Sequence, residues 1–508
     1  MKRQFSSTVI GATFLISATG LVSKGVGFIR EVLYANYFGL RSQFDIYLVS
    51  AALPMIISSM LLYLGQNYFI PSFNRIDQSE NLKRKQFFVK SFWSYLTFGI
   101  LLFIVLLGVS SPLINFLLDG SNKHFELALL IFRLFIITLP LTAIVSIISA
   151  YQQANFHYKA PAYAQLIVNI TLVVILFLFN KNFGIVIIPI ASLAGTVLQT
   201  IYLFSKIDVS LSDLFNHLKI DVKRFSIPGP FLTIIIIEFI GQLYIISDRY
   251  FVNQVDTGGI SALNYSINLI LLPISIFSIA ISTAIFPKLS ENFATHSSDS
   301  LQTNFNLSLK FNLAIFVPIT FILFFYGDEI IRILFERGNF NQANSIMTFK
   351  LTKILALSLI FYSSYNVANK LIYSISQIKK LLWLTLFGLL LKVVLNFILV
   401  KELKQSGLAI STVISYMFFF IGAIYIIERA VKIKSKSTFI KESILLIMNG
   451  ALAFFLTKFL IERFIFLPIL SALIGVTFFL MLFYFNIIYI RHSIIQILKS
   501  LIQQFIVK

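Results

Sequence analysis

Long apolar runs separated by short polar loops dominate this chain. A hydrocarbon core about 30 Å thick needs a helix of about 17–25 mainly apolar residues. Fourteen runs are at least this long, and each predicts one membrane-spanning helix. Their limits are 8–37, 44–72, 87–109, 127–151, 161–179, 184–204, 229–252, 261–286, 309–325, 345–373, 381–400, 407–428, 442–461 and 466–489. The pattern therefore predicts an all-α membrane protein with fourteen transmembrane helices.

The composition agrees with a membrane protein, because 58% of the 508 residues are hydrophobic and only 12% are charged. The chain has no cysteine, which excludes disulfides, thiolate metal sites and cysteine nucleophiles. Its five histidines have no partner at metal-ligand spacing, and no Walker loop is present. We therefore predict no metal site, no cofactor and no use of ATP by the chain itself. The basic, apolar N-terminus predicts an uncleaved first helix.

The net charge of +20 comes from Lys and Arg that gather in the short loops. Loops on the N-terminal side of the predicted membrane carry 24 of the 41, and loops on the opposite side carry 8. Such a bias places the basic loops in the cytoplasm. The sequence therefore predicts that both termini are cytoplasmic. It also predicts membrane lipids as partners of these basic loops, and no nucleic acid.

An internal repeat relates the two halves of the chain at an offset of 219 residues. The matched positions are Arg30 with Arg249, Gly39 with Gly258, and Leu53-Pro54 with Leu272-Pro273. Repeats are common in transporters whose halves move about a central site. We predict a six-helix lobe at 1–205, a cytoplasmic linker at 206–228, and a second six-helix lobe at 229–429. Residues 430–508 then form a basic loop, two extra helices and a cytoplasmic tail.

Two charges fall deep inside predicted spans. At about 1.5 Å per residue, Glu238 lies about 13 Å into the seventh span and Lys392 about 16 Å into the eleventh. A lone charge at that depth costs about 3 kcal/mol or more. We predict that the two form a buried charge pair, with an ion-coupling site as the alternative.

Several segments together resemble the MurJ-type lipid II flippases of the multidrug/oligosaccharidyl-lipid/polysaccharide exporter superfamily. They are "SKGVGFIREVLYANYFG" at 23–39, Asp45 with Leu53-Pro54, "GGISALNYSINLILLPISIFSIAISTAIFPKLSENFA" at 258–294, and "IIRILFERGNF" at 330–340. The resemblance covers the whole chain. It implies a V-shaped bundle of two six-helix lobes plus two C-terminal helices, with a cationic central cavity, in the bacterial cytoplasmic membrane.

The resemblance also implies a substrate-binding site that contains Lys24, Arg30 and Asp45. Lys24 stands where the family often has an arginine, whereas Arg30 and Asp45 match family positions. Arg can bind phosphate oxygens through two parallel hydrogen bonds, and Lys acts as a compact charge. The alternatives are that both cations reach the outer interface beside Glu31, and that Ser42-x-x-Asp45 is a helix capping box.

Two family arginines are replaced here, by Ser58 and Asn268, so the resemblance implies fewer fixed cations in the cavity. Asp248 and Arg249 close the seventh span beside a polar turn, which predicts an interfacial pair rather than a binding site.

The implied function is a flippase that moves an undecaprenyl-pyrophosphate-linked saccharide, lipid II, outward by alternating access as a monomer. One alternative is a flippase for an O-antigen, capsule or exopolysaccharide repeat unit, and another is a cation-coupled multidrug exporter. A membrane glycosyltransferase would need a large external loop with acidic catalytic residues, which the chain lacks. The resemblance therefore predicts a transporter and not an enzyme, coupled to the membrane potential or to a monovalent cation.

Overall fold

The structure is a computed structural model that describes residues 9–77, 79–118, 124–209, 214, 229–432, 435–461 and 468–489. Every regular element in these residues is a helix, and a helix overlaps each of the fourteen predicted segments. Within the described residues, nine helices are long and apolar enough to cross a membrane, or ten if one bent pair counts as a single span. One of the nine, Lys159–Phe204, covers two predicted spans. The all-helical prediction is confirmed, and the count of fourteen spans stays a prediction.

The chain divides into two compact units, Met1–Asn253 and Gln254–Lys508. The helix at Gly229–Arg249 groups with the first unit because it packs on Ser42–Leu64. The 219-residue repeat predicts that this helix belongs to the second lobe, since it opens the second copy of the repeat. Grouping by contact and grouping by repeat therefore differ by one helix. Most of the predicted linker at 206–228 and the tail at 490–508 lie outside the described residues.

The first unit contains nine helices within the described residues. They are α1 Val9–Phe38, α2 Ser42–Asn74, α3 Asn81–Gly108, α4 Ser110–Leu118, α5 Phe125–Ile136, α6 Thr138–Ala154, α7 Lys159–Phe183, α8 Ile187–Phe204 and α9 Gly229–Arg249. Helix α2 packs on α5 and α6, α1 packs on α7, and α3 packs on α6.

Aromatic side chains fill much of the core of the first unit. Phe69, Phe73 and Phe88 are 1% exposed or less. The ring centroids of Phe88 and Tyr151 lie 4.1 Å apart, which joins α3 to α6. Each buried aromatic ring removes a large apolar area from contact with its surroundings and fixes the distance between helices. These contacts position α2, whose N-terminal end carries Asp45.

The second unit also contains nine helices within the described residues. They are α10 Gly259–Ala294, α11 Ser298–Phe325, α12 Gly327–Phe335, α13 Gln342–Ala356, α14 Ser358–Ser374, α15 Ile378–Leu403, α16 Gln405–Val431, α17 Ser435–Ile461 and α18 Pro468–Tyr489. Helices α13 and α14 meet at an angle of 45°. The extra helices α17 and α18 pack on α11, where Lys310 Nζ lies 2.8 Å from Glu442 Oε1.

A polar seam of uncharged side chains runs through the core of the second unit. Its members are each 0% exposed, and they are Ser266, Ser278, Asn312, Thr348, Thr352 and Ser363. Asn312 Nδ2 donates to Ser363 Oγ at 2.8 Å, and Thr352 Oγ1 donates to Ser266 Oγ at 3.0 Å. Hydrogen bonds of this kind join helices where no water is available. The seam therefore links α10, α11, α13 and α14.

The repeated glycines have the same unusual backbone conformation. Gly39 ends α1 with φ +58°, and Gly258 precedes α10 with φ +81°. A side chain in this left-handed region clashes with its own backbone, which is why glycine is favoured there. The 219-residue repeat read from the sequence therefore corresponds to a repeated turn in the structure.

A π-helical turn interrupts each of the two helices that follow these glycines, at Gly65–Phe69 in α2 and at Ile274–Ser278 in α10. The second π turn directly follows Pro273, whose missing N–H and fixed ring disturb the α-helical hydrogen bonds. At Gly65, a Cβ atom would lie 2.1 Å from Ser146 Oγ, and Ser146 Oγ donates to Leu61 O at 2.7 Å. A close approach of α6 therefore requires glycine at the first π turn.

Candidate functional site

Helix α1 carries the two predicted cations, but they point in different directions. Six residues separate Lys24 from Arg30, which turns them about 120° apart around a helix with 3.6 residues per turn. Lys24 is exposed, whereas the Arg30 side chain is only 27% exposed. Their joint role in one binding site stays a prediction.

Arg30 is held by its neighbour in sequence and by an aromatic ring. Its Nη2 donates to Glu31 Oε1 at 2.8 Å, and the Glu31 side chain is 12% exposed. The guanidinium carbon lies 5.6 Å from the centroid of the Tyr34 ring, within the range of a cation–π contact. The buried Nε atom has no hydrogen-bond partner among the described residues. One donor of Arg30 is thus available for a further acceptor.

Arg249 lies at the C-terminal end of α9 and is 8% exposed. It interacts electrostatically with Asp248, Asp45 and Glu31, and with Tyr47 of α2. Opposite charges in such a weakly hydrated place interact strongly. The packing of α9 on α2 thus brings Arg249 to the predicted residue Asp45, which is 4% exposed.

We refer to Arg30, Glu31, Asp45, Asp248 and Arg249 as the charge cluster. With all five ionised, two positive and three negative charges give it a net charge of −1. The predicted cationic site is therefore not formed by this cluster alone, because Glu31 already engages Arg30.

The capping-box interpretation of Asp45 is wrong. Arg41, and not Ser42, is the residue that precedes α2, with φ −78° and ψ 150°, and its side chain makes no capping hydrogen bond. Ser42 is already helical, and its Oγ lies 3.1 Å from His124 Nε2. Asp45 still lies in the first turn, where a negative charge complements the helix dipole.

Sequence reasoning placed Asp248 and Arg249 at an interface, whereas both side chains are buried, at 5% and 8% exposure. A usable signal existed, because the repeat aligns Arg249 with Arg30. The repeat alone does not show that Arg249 lies beside the carboxylates of the charge cluster, since that depends on the packing of α9 against α2.

Glu238 and Lys392 belong to different units, and their pairing stays a prediction. Glu238 in α9 is half-buried and interacts electrostatically with Tyr63 of α2. Lys392 in α15 is fully buried and hydrogen-bonds to oxygen atoms of α16. No group of three or more His, Asp or Glu side chains in the described residues is placed to hold a metal ion.

The family model for "Lipid II flippase MurJ" matches residues 34–484, which is most of the chain. The chain belongs to the lipid II flippase MurJ family. The resemblance noted in the sequence is confirmed by this match. The region covered includes Asp45, Asp248 and Arg249 of the charge cluster, and Lys392.

Curated relatives of the MurJ family align along most of their length with this chain. "Lipid II flippase MurJ" of Thermosipho africanus is 26% identical over 503 residues, covering 97% of this chain and 99% of the relative. "Probable lipid II flippase MurJ" of Borreliella burgdorferi is 25% identical over 464 residues, covering 88% and 90%. The protein of the same description from Buchnera aphidicola subsp. Acyrthosiphon pisum is 24% identical over 437 residues, covering 84% and 85%.

Solved structures support the same fold. A lipid II flippase MurJ in an inward closed conformation aligns with a TM-score of 0.77 at 21% identity, covering 95% of this chain and 100% of that chain. An inward-facing multidrug resistance MATE transporter of the MOP superfamily aligns with a TM-score of 0.67 at 14% identity, covering 81% and 95%. At these identities the likeness concerns the fold alone.

Proposed function

We propose that this chain is a lipid II flippase, which moves an undecaprenyl-pyrophosphate-linked saccharide across the membrane by alternating access. The observation that carries the proposal is the match of the MurJ family model over residues 34–484. Relatives described as lipid II flippases align with 88% and 97% of this chain. The product is then available outside the cytoplasm for peptidoglycan synthesis.

The pyrophosphate of the substrate is the part that the chain's cations recognise. Lys24 is exposed and compact, so it suits a first contact with a phosphate oxygen. Arg30 is held by Glu31, but its Nε has no hydrogen-bond partner in the part of the chain that the structure describes. We propose that the substrate first meets Lys24 and then competes with Glu31 for the guanidinium of Arg30. Asp45 and Arg249 contribute to the electrostatic potential around Arg30.

The test is a reconstituted flipping assay with fluorescent lipid II. Loss of one charge-assisted phosphate contact costs about 1.5–3 kcal/mol, which is about a tenfold or larger loss of affinity. The double variant Lys24→Ala/Arg30→Ala should therefore abolish flipping while it still inserts in the membrane. Adding arginine in Ser58→Arg/Asn268→Arg should tighten lipid II binding.

The matched control is Lys181→Ala, which removes an exposed cation from the end of α7 and should flip at the wild-type rate. Normal transport of lipid II by the double-alanine variant would refute the headgroup role of Lys24 and Arg30. Transport of an undecaprenyl-pyrophosphate-linked O-antigen unit in place of lipid II would instead refute the proposed substrate.

We further propose that the chain lies in the bacterial cytoplasmic membrane with both termini in the cytoplasm. The support is the excess of 24 basic residues over 8 in loops on the two sides. Reporter fusions after residue 508 and in the loop that ends at Gly258 should give opposite signals, and equal signals would overturn this topology.

A further inference from the structure

Two buried tyrosines, Tyr34 of α1 and Tyr47 of α2, lie beside the charge cluster, and each is 3% exposed. Their ring centroids are 6.1 Å apart, and the rings meet edge to face at an angle of 67°. A hydrogen bond joins their hydroxyl groups, either of which can donate. We refer to the pair as the tyrosine bridge, because it joins α1 to α2.

The α1 end of the tyrosine bridge holds Arg30. Tyr34 follows Arg30 by four residues, so the two side chains are neighbours on one face of the helix. The guanidinium carbon of Arg30 is 5.6 Å from the centroid of the Tyr34 ring, whose electron-rich face attracts a cation. Together with the ion pair to Glu31, this contact fixes the direction of the guanidinium.

The α2 end of the tyrosine bridge extends the contact to a second arginine. Tyr47 interacts electrostatically with Arg30 and also with Arg249 of α9. Arg249 interacts in turn with Asp45, two residues before Tyr47. Arg30 and Arg249 are the two arginines that the 219-residue repeat relates. The tyrosine bridge thus connects the electrostatic surroundings of both.

Packing fixes both rings of the tyrosine bridge. Phe44 is 0% exposed, and its ring centroid lies 5.8 Å from that of Tyr34 and 5.3 Å from that of Tyr47. Phenylalanine rings would also fill this apolar place, and a buried hydroxyl is unfavourable unless it is hydrogen-bonded. Packing alone therefore does not explain the two hydroxyl groups, whereas the neighbouring arginines give them a polar role.

We propose that Tyr34 and Tyr47 are positioning residues for the pyrophosphate of the substrate, and that they act through Arg30. The ring of Tyr34 holds the guanidinium while a phosphate oxygen replaces Glu31, so Arg30 keeps its direction during the exchange. The hydrogen bond from one tyrosine to the other keeps that ring in place against α2. The inference rests on the proposed function, because it assigns a role in binding the headgroup of the transported lipid.

The first arm of the test measures the affinity of the purified protein for fluorescent lipid II. Tyr34→Leu loses the cation–π contact and should bind about fivefold or more weakly than wild type. Tyr34→Phe keeps the ring and should recover most of the affinity. The matched control Phe88→Leu removes another fully buried aromatic ring of the same unit and should bind as wild type, even with a lower thermal midpoint. Wild-type affinity in Tyr34→Leu would overturn the proposal.

The second arm asks whether Tyr34 acts through Arg30. In the Arg30→Ala background, Tyr34→Leu should cause no further loss of affinity, because the group that it positions is already absent. A purely structural role of the tyrosine would lower the affinity by the same factor in both backgrounds. An equal loss in both backgrounds would therefore contradict a positioning role.

The third arm tests the hydrogen bond of the tyrosine bridge without any ligand. Tyr34→Phe and Tyr47→Phe each leave one buried hydroxyl unpaired, whereas the double variant leaves none. The double variant should therefore have a higher thermal midpoint than either single variant. A midpoint below both would show that the two hydroxyl groups do not depend on each other, and the tyrosine bridge would be wrong.

A further variant settles the first arm if Tyr34→Leu does not fold. Pentafluorophenylalanine at position 34 keeps the shape of the ring and removes its attraction for a cation. Its affinity for lipid II should fall below that of Tyr34→Phe, and equal affinities would overturn the proposal. Failure of wild type to bind lipid II would refute the proposed function and with it the headgroup role of the bridge. Unaffected variants of a wild type that binds would refute the bridge alone.

Discussion

The two units bury polar groups in different ways. The first unit gathers five charged residues in the charge cluster, with Asp45, Asp248 and Arg249 between 4% and 8% exposed. The second unit joins α10, α11, α13 and α14 through the polar seam, whose side chains are uncharged. Charges act over longer distances than neutral hydrogen bonds and depend more on what else binds nearby. The stability of the first unit should therefore depend more on single charged residues, whereas neutral hydrogen bonds keep the helices of the polar seam in fixed register.

The largest expected effect comes from Arg249→Ala, which tests whether the charge cluster depends on its second arginine. The change removes a positive charge that interacts with Asp45, Asp248 and Glu31. Loss of one partner from a buried ionic group costs about 3–5 kcal/mol. We expect a large fall in the thermal midpoint of the purified protein. Arg75→Ala, an exposed arginine after α2, is the control, and equal midpoints for both variants would contradict the comparison.

A smaller effect is expected in the polar seam from Asn312→Ala. The variant loses the hydrogen bond from Asn312 to Ser363. Hydrogen bonds between helices in a membrane contribute about 0.6 kcal/mol on average and up to about 1.7 kcal/mol. The free energy of unfolding should fall by that amount, measured by chemical denaturation in mixed micelles. Thr303→Ala, at an exposed site of the same helix, should change nothing. A loss of stability as large as that in Arg249→Ala would contradict the proposed difference between the two units.

The smallest effect is expected at an exposed ion pair of the second unit. Lys404 Nζ lies 2.5 Å from Asp256 Oδ1, and the hydrogen bonds from Lys404 and Gln405 hold the pKa of Asp256 below its usual value. Exposed pairs contribute about 0–1 kcal/mol. Asp256→Asn should lower stability at pH 7 by no more than that.

The pH dependence of this effect follows from the direction of the shift. A lowered pKa adds stability above the unfolded pKa of about 3.9, and that stability is lost as the pH falls through the folded value. The difference between wild type and Asp256→Asn should therefore vanish in acid. A difference that grows as the pH falls would contradict the assigned pair.

The helices could be predicted from the sequence because run length and apolarity determine them in a bilayer. The predicted segment 381–400, for example, lies within α15 at Ile378–Leu403. The short helix α4 was not predicted, since its apolar residues are too few to form a span. The turn at Gly39 and Gly258 was predicted as a repeated element, and its left-handed conformation agrees with the choice of glycine.

The candidate site could be predicted only in part. Arg30 and Asp45 were found by resemblance and Lys392 by its depth in an apolar run. Arg249 was missed as a member of the charge cluster, because nothing local in the sequence brings α9 next to Asp45. The partners of Lys392 were missed for a related reason, since Ser411 and Thr412 are ordinary residues of an apolar helix until they are placed opposite a lysine.

The lengths of α2 and α10 have a mechanical consequence for a protein in a bilayer. These helices have 33 and 36 residues, which corresponds to about 50 Å and 54 Å at 1.5 Å per residue. The hydrocarbon layer is only about 30 Å thick. Their surplus length must be taken up by tilt or must extend past the lipid tails. A thicker or thinner bilayer thus changes the tilt that these two helices prefer. The chain length of the lipids therefore influences how α2 and α10 are oriented in the membrane.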